Sequence, residues 1–234
     1  IVFGDWSSDV CSSDLYSINT TGASGGGDIT FEGYTSITEV GICWSTEPNP
    51  DTSDFKTIGT NGTEFFCFYT SLNPSTKYYT RAYAINSLGV GYGNQLEFWT
   101  TGPAVLGQLT LESLTDTTIS ASCNIVYNGG DEPLRGFCWS LSPNPTTAND
   151  YKNHNGIESA FLDTLGILLP NTPYYIRAFT SNVHGTSYSN EIVVTTAVTA
   201  LGKFYQGGYV FYIDSTGQNG LVCAPGDQSN GIVW

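Results

Sequence analysis

The sequence has very little positive charge. It contains 7 Lys and Arg against 21 Asp and Glu, which gives a formal net charge of -14 at pH 7. Binding to nucleic acid or to an anionic membrane requires clustered Lys and Arg that neutralise phosphate groups. The composition therefore argues against both partners, and it is typical of a soluble, self-repelling extracellular surface.

Several features of membrane proteins and enzymes are also missing from the sequence. No stretch approaches the roughly 20 apolar residues of a membrane span, and the first 15 residues lack the basic start and apolar core of a signal peptide. The sequence contains no Cys-x-x-Cys pair for zinc and no Gly-x-Ser-x-Gly elbow. The only two histidines, His154 and His184, fall in polar turns. We therefore expect no enzyme activity, no metal site and no cofactor.

A long motif returns after about 96 residues. The pattern Leu-x-Pro-x-Thr-x-Tyr-Tyr-x-Arg-Ala occupies residues 72–82 and again 168–178, and the segment 41–45 with its Pro-Asn-Pro turn returns as 136–140. This period is the size of a whole β-sandwich domain and not of a solenoid repeat. A duplicated unit of this size predicts a modular binding or spacer protein.

Short alternating segments, bounded by Gly, Pro, Asn and Asp, follow one another every eight to twelve residues, as an all-β sandwich requires. In the second repeat they predict strands at Val105–Leu111, Thr117–Val126, Leu134–Ser140, Ser159–Leu165, Tyr174–Ser181 and Tyr188–Thr196.

Alternation within the repeated motif assigns its side chains to two faces of a strand. The small residues and Tyr78 at the even positions from 78 to 84 predict a tight core face. Tyr79, Arg81 and Tyr83 predict an amphipathic face that is half-exposed, with the Arg stem over the rings. The first Tyr of the motif is placed for a tyrosine corner.

Both repeats resemble fibronectin type III modules, in the variety common in secreted proteins of Bacteroidota. The resemblance rests on the Gly-x-Cys-Trp-Ser strand, the Pro-Asn-Pro turn and the Leu-x-Pro-x-Thr-x-Tyr-Tyr-x-Arg-Ala strand, and it covers about Ala23–Thr101 and Val105–Thr196. It implies an all-β fold of two tandem immunoglobulin-like sandwiches, at residues 16–102 and 103–197. No Arg-Gly-Asp triplet is present, so integrin binding is not implied.

The N-terminal segment differs from both repeats. Residues 5–15 resemble a translated sequencing adapter, and the alternative is a genuine polar linker. On the adapter interpretation residues 1–15 are artefactual, and the first module lacks its opening strand. We then expect residues 5–15 to make few core contacts and Tyr16–Gly27 to form a poor first strand or a loop.

The C-terminal segment, residues 198–234, does not repeat earlier sequence. Its run from Gly202 to Asp214, followed by Gly217–Pro225, resembles the opening of the C-terminal domain of the Legionella collagen-like adhesin. The resemblance implies the truncated start of a surface or attachment domain. So short a piece cannot bury a core of its own, and we expect a loose or poorly ordered hairpin.

Two residue classes deserve separate predictions. Cys43 and Cys138 occupy the same place in the two repeats, which indicates a packing position, although a bridge between Cys123 and Cys138 is an alternative. Exposed aromatic residues are candidates for stacking on sugar rings, and the alternative is that they pack beneath Arg stems or between domains. The candidate glycan-stacking residues are Tyr79, Tyr83, Tyr175 and Phe179.

These observations predict non-catalytic spacer or adhesion modules of a bacterial secreted or cell-surface protein. The alternative is an accessory region, either carbohydrate-binding or a linker, of a secreted polysaccharide-degrading enzyme whose catalytic domain lies outside this chain. The expected location is extracellular or the bacterial cell surface. The expected partner is a glycan or another surface protein, and the chain is expected to be a monomer.

Overall fold

The computed structural model describes residues 13–30, 35–60, 62, 64–198, 201–205, 207–214 and 219–226. The chain divides into two compact units, Ile1–Pro103 and Ala104–Trp234. The described residues of both units form strands joined by turns. Within these ranges no helix has the length and apolar character needed to cross a bilayer.

The described part of the first unit contains eight strands in two antiparallel sheets. One sheet has the order β1-β2-β5, and the other has the order β4-β3-β6-β7, with β8 also paired to β6. The strands are β1 (Asp14–Ile18), β2 (Ala23–Asp28), β3 (Ile37–Ser45), β4 (Phe55–Ile58), β5 (Glu64–Tyr69), β6 (Lys77–Asn86), β7 (Gly89–Tyr92) and β8 (Leu96–Trp99).

The second unit repeats this topology. One sheet has the order β10-β11-β14 with β9 paired to β11, and the other has the order β13-β12-β15-β16 with β17 paired to β15. The strands are β9 (Val105–Leu106), β10 (Thr110–Leu114), β11 (Ile119–Tyr127), β12 (Leu134–Ser140), β13 (Asp150–Asn153), β14 (Ala160–Leu165), β15 (Pro173–Asn182), β16 (Gly185–Tyr188) and β17 (Ile192–Thr195).

The two sheets of each unit pack face to face around one apolar core. In the first unit Phe65 and Tyr69 of β5 meet Tyr78 and Ala82 of β6, and in the second unit the matching cluster is built on Phe161 and Ile176 among others. Residues that alternate along each strand supply these cores, as the period of two requires. The predicted class is confirmed: the protein is all-β, with two tandem immunoglobulin-like sandwiches.

Residues 14–28 form two strands, contrary to the expectation of a poor strand or a loop. Asp14 and Leu15 pair with Gly26 and Gly25, and Leu15 packs against the core of the first unit. The prediction of few core contacts is therefore wrong for residues 13–15, while residues 5–12 lie outside the described residues. Leu15 and Ile18 both pack against the core, because a β-bulge between Leu15 and Ser17 brings two residues three positions apart to the same face.

Two strand predictions for the second repeat also need correction, and one further strand was not predicted. The segment 105–111 is interrupted because the N–H of Leu109 donates to Oδ1 of Asn190, 2.8 Å away, instead of to a neighbouring strand. The last predicted strand is likewise split into β16 and β17. Strand β13 was not predicted, because its residues are all polar or aromatic and exposed at a sheet edge.

The C-terminal segment forms more than the expected hairpin. Strands β18 (Phe204–Tyr205), β19 (Gly208–Ile213) and β20 (Gly220–Cys223) make a three-stranded antiparallel sheet. Val210 is buried, and the Lys203 ammonium forms an ion pair with the buried carboxylate of Asp116 in the sandwich of the same unit. These contacts give the segment an anchor that its sequence did not reveal.

Candidate functional site

The most recognisable motif residues make internal bonds in both units. The Tyr78 hydroxyl accepts a hydrogen bond from the N–H of Asn73 at 3.0 Å, and the Tyr174 hydroxyl accepts one from the N–H of Leu169 at 3.0 Å. This is the predicted tyrosine corner, in which the ring packs in the core while its hydroxyl holds the preceding turn. The first Tyr of the motif is therefore structural.

The motif arginine is also engaged inside each unit. The Arg81 guanidinium lies 4.5 Å from the ring centroid of Tyr92, and its Nε donates to the carbonyl of Gly93 at 3.0 Å. Arg177 repeats the arrangement over Tyr188, with a ring distance of 4.7 Å. The ring face and the backbone carbonyl both hold the guanidinium against its own unit, and Arg177 makes the same carbonyl contact with Ser189 at 3.1 Å.

Two of the four candidate stacking residues are buried, which contradicts the expected half-exposed face. Tyr83 is 0% exposed and Phe179 is 3% exposed. Each lies opposite a glycine of the neighbouring strand, Gly41 for Tyr83 and Gly136 for Phe179. A Cβ at Gly41 would come within 2.7 Å of the Tyr83 hydroxyl oxygen. The ring thus occupies the space that a side chain at position 41 would fill.

The other two candidates, Tyr79 and Tyr175, are half-buried on their strands. The Lys77 ammonium lies 5.1 Å from the Tyr79 ring centroid and 2.9 Å from the Glu97 carboxylate. Part of the Tyr79 ring is therefore already covered by a cation from the same unit. Glycan stacking stays a prediction for these two tyrosines.

The described cysteines are free thiols, so the alternative of a bridge between Cys123 and Cys138 is wrong. Cys43 and Cys138 are equivalent: their Sγ atoms lie 3.5 Å from the carbonyl oxygens of Pro50 and Pro145. Burial raises the pKa of Cys43 to about 12 and that of Cys138 to about 11. Both therefore remain protonated at neutral pH, and both serve packing and not nucleophilic chemistry.

A row of exposed aromatic side chains lies on the outer face of the sheet β1-β2-β5. This aromatic row consists of Tyr16, Phe66 and Phe68, which are 62%, 44% and 62% exposed. Tyr16 and Phe66 are stacked with their centroids 5.7 Å apart, and Phe66 meets Phe68 edge to face at 4.9 Å. Three contacting rings with this exposure are unusual on a sandwich surface, where large apolar patches mark interaction sites.

Tyr16 reaches Phe66 because a glycine of the central strand lies between them. Tyr16 stands at the bulge between Leu15 and Ser17 of the edge strand, and the central strand places Gly26 opposite Phe66. With no side chain at position 26, the Tyr16 ring reaches across the central strand to Phe66. Sequence reasoning missed the row because Tyr16 and Phe66 are 50 positions apart.

Carboxylates surround this row. The pKa of Tyr16 is raised, first by partial desolvation and then by the negative charges of Asp14, Asp28 and Glu64. All three acidic residues lie on the strands of this sheet, Asp14 on β1, Asp28 on β2 and Glu64 on β5. The outer face of this sheet therefore combines aromatic rings with a negative electrostatic field.

The second unit has a different outer face at the same positions. Glu112 replaces Tyr16, and its carboxylate accepts a hydrogen bond from the Ser122 hydroxyl. Leu162 and Thr164 stand where the first unit has Phe66 and Phe68. The aromatic row is therefore a feature of the first unit and not of the repeat.

The second unit has its own polar cluster around His154. Nδ1 of His154 lies 2.8 Å from the Asp163 carboxylate, and the Lys152 ammonium lies 3.0 Å from the other oxygen of Asp163. Among the residues that the structure describes, no group of three or more His, Cys, Asp and Glu has the arrangement of a metal site. His154 is thus held by a hydrogen bond to Asp163, whose other oxygen pairs with Lys152 at a sheet edge.

A cavity of about 330 Å³ opens beside the buried Arg135 in the second unit. The guanidinium donates to the carbonyls of Glu158 at 2.5 Å and Pro133 at 3.3 Å, and it forms an ion pair with Glu132. The first unit has Val40 at this position, within its core. Arg135 is therefore satisfied by its own unit.

No protein-family model matches this chain, and no curated protein matches it. Among solved structures, the crystal structure of the FN1–FN3 domains of chicken CNTN1 is similar, with a TM-score of 0.49 and 14% sequence identity. The match covers 87% of this chain and 71% of that chain. The fold assignment rests on the strand order and cores of the two units themselves.

Proposed function

We propose that this chain is a non-catalytic extracellular part of a bacterial secreted or surface protein, in which the two sandwiches act as spacers that carry adhesive surfaces. The observation that carries the proposal is that both units use their motif residues for internal bonds. The tyrosine corner and the stacked arginine recur at matching distances. Residues engaged in this way build a stable domain and leave no reactive group at the motif.

The charge of the chain supports the same proposal. A net charge of -14 keeps such modules soluble and disfavours self-association at a crowded surface. The buried, protonated thiols of Cys43 and Cys138 provide no nucleophile, and the described ion pairs are local contacts within each unit. The C-terminal segment with its three-stranded sheet belongs, on this proposal, to the attachment domain that the sandwiches project.

A glycan array with the purified chain tests the spacer role. We expect no saturable binding, and we expect Tyr79→Ala and Tyr175→Ala to change thermal stability alone. Saturable binding to one polysaccharide that both substitutions remove would contradict the spacer role and favour the accessory region of a polysaccharide-degrading enzyme. Ser122→Ala, at a half-buried polar position on the outer face of the second unit, serves as the control for loss of a side-chain hydroxyl that is not among the candidates.

A further inference from the structure

In the first unit, two lysine ammonium groups each contact both a tyrosine ring and a carboxylate. The Lys56 ammonium lies 5.5 Å from the Tyr83 ring centroid and 3.1 Å from the Glu39 carboxylate. The Lys77 ammonium lies over the Tyr79 ring and forms an ion pair with Glu97. In each cluster a cation is attracted both by the ring face and by the negative charge.

The aromatic row also combines aromatic rings with carboxylates, and it has more of both. Its three exposed rings are flanked by carboxylates that raise the pKa of Tyr16. The chain has only 7 Lys and Arg, and all of them lie within the described residues. Each of the seven is held elsewhere: Lys56 by Glu39, Lys77 by Glu97, Arg81 by Tyr92, Arg135 by Glu132, Lys152 by Asp163, Arg177 by Tyr188 and Lys203 by Asp116.

We propose that the aromatic row of Tyr16, Phe66 and Phe68 binds a Lys- or Arg-bearing segment of a partner protein. The rings offer faces and edges for the aliphatic stem and the charged group, and the surrounding carboxylates supply the opposite charge. A second copy of this chain is disfavoured, because each copy carries a net charge of -14 and its seven Lys and Arg already have partners within their own units. An anionic polysaccharide is disfavoured by the same carboxylates.

The proposal goes beyond the spacer role and does not depend on it. A spacer with a binding surface on one unit remains a spacer, and failure of the aromatic row to bind would leave the two sandwiches intact. The contrast with the second unit sharpens the assignment. That unit has Glu112, Leu162 and Thr164 on the equivalent face, so it provides a natural negative control within the same molecule.

Binding of a fluorescently labelled hexalysine peptide to the full chain, measured by anisotropy at physiological ionic strength, tests the proposal. Hexaglutamate is the control for peptide length, and a neutral glucan hexasaccharide is the competing ligand. The decisive variant is Tyr16→Leu with Phe66→Leu and Phe68→Leu, which removes the rings and retains the net charge. Leu162→Ala is the matched variant on the second unit, and thermal unfolding of both variants verifies that they fold.

We expect saturable binding of hexalysine, no binding of hexaglutamate, and a Kd about tenfold weaker in the triple variant. A single ring removed by Phe68→Leu should weaken binding about twofold to fivefold, which corresponds to one exposed cation–π contact. Leu162→Ala should have no effect. Equal hexalysine binding by the wild type and a folded triple variant would show attraction by net charge alone and would overturn the proposal. Binding of the neutral glucan without binding of hexalysine would also overturn it, in favour of a glycan surface.

Discussion

Each unit contains the same buried hydrogen-bond arrangement, but the hydroxyl that completes it comes from a different part of the chain in each unit. In the second unit the Ser189 hydroxyl accepts from the N–H of Ala178 at 2.9 Å and donates to the carbonyl of Asn190 at 2.8 Å. The first unit has Gly93 at the position of Ser189. Its hydroxyl comes instead from Ser13, which accepts from the N–H of Ala82 at 2.9 Å and donates to the carbonyl of Asn94 at 2.6 Å.

This comparison shows that the repeat preserves bonds even where it exchanges residues. The N–H of Ala82 and that of Ala178 are buried, and a buried donor without a partner is costly. In the first unit the hydroxyl comes from the residue before β1, and in the second unit it comes from the residue after β16. Ser13 lies within the segment that resembles an adapter, yet it completes the sandwich of the first unit. Its origin remains a prediction, and its structural role is plain.

Truncation of one core residue is the strongest way to test whether the two units are separate folding units. Phe161→Ala should lower the unfolding free energy of the second unit by about 3–5 kcal/mol, because it leaves a cavity beside Phe137. Hydrogen exchange resolved by peptide should lose protection in residues 104–197 and keep it in residues 13–103.

The neighbouring exposed residue gives the control. Leu162→Ala should change protection in neither unit by more than a small amount, since Leu162 points away from the core. An equal loss of protection in both units of Phe161→Ala would show that they fold as one and would break the comparison.

Removal of the hydroxyl at position 13 tests the exchange between strands. Ser13→Ala should destabilise the first unit by about 1–3 kcal/mol, because the N–H of Ala82 is left without its acceptor. Adding Gly93→Ser should restore much of this stability by importing the arrangement of the second unit. Chemical denaturation of the single and double variants measures both effects.

The second unit gives the matching single variant. Ser189→Ala should destabilise that unit by a similar amount, because the N–H of Ala178 loses its acceptor. Leu109, the counterpart of Ser13, is a buried core residue, so Leu109→Ser would lose core packing and offers no rescue. Purely additive effects of Ser13→Ala and Gly93→Ser in the first unit would argue that the two hydroxyls are not equivalent.

The tyrosine corners should be equal in the two units. Tyr78→Phe and Tyr174→Phe each remove one hydroxyl that accepts a backbone N–H at 3.0 Å. We expect each substitution to lower the stability of its own unit by about 1 kcal/mol. The two losses of stability can be compared by chemical denaturation monitored by hydrogen exchange. A difference of more than about twofold between them would mean that the corner contributes differently to the stability of the two units. Tyr79→Phe is the control for loss of a hydroxyl on the opposite face.

The smallest expected difference between the two units is in how their stability depends on pH, through Glu39 of the first unit. Hydrogen bonds from the Tyr83 hydroxyl and then from the Lys56 ammonium hold the pKa of Glu39 below its ordinary value of 4.5. A carboxylate whose pKa is lower in the folded state stabilises the fold above the unfolded value. That contribution disappears as the pH falls through the folded value.

We expect Glu39→Gln to cost the first unit a fraction of a kcal/mol at pH 7. The difference from wild type should vanish as the pH falls from about 4.5 to below the folded pKa, which denaturation curves at several pH values will measure. The second unit has Leu134 and Phe179 at the two positions, so Leu134→Gln should show no such pH dependence. A difference that persists unchanged at pH 3 would contradict the ion-pair explanation.

Alternation in the repeated motif predicted its core face correctly. Tyr78, Ala82 and Ala84 are buried between the sheets, because side chains of a strand alternate strictly between two faces. The same pattern failed for Tyr83 and Phe179. Alternation places a ring on the outer face of a strand, but the neighbouring strand decides whether that face is open. At both positions the paired residue of the neighbouring strand is a glycine, and the Tyr83 ring occupies the space that a side chain at Gly41 would fill.

The candidate binding surface could not be predicted from the motif at all. Tyr16 and Phe66 come together only when β1, β2 and β5 adopt their register, and a shift of one residue would turn either ring to the other face. The two aromatic residues are not repeated in the second unit, which has Glu112 and Leu162 at the equivalent positions. The pattern that would have indicated them is a glycine in a central strand with an aromatic residue on each of the two flanking strands.

The sequence by itself determined the class of fold, the number of sandwiches and the inner face of their longest strands. Local periodicity and turn residues are sufficient for these, since they act over a few residues. Only the tertiary structure decided which aromatic rings are exposed, which strand supplies the hydroxyl beside Ala82 and how the scarce cations are distributed. These depend on strand register across tens of residues, where single positions such as Gly26, Gly41 and Gly93 decide what a neighbouring side chain can reach.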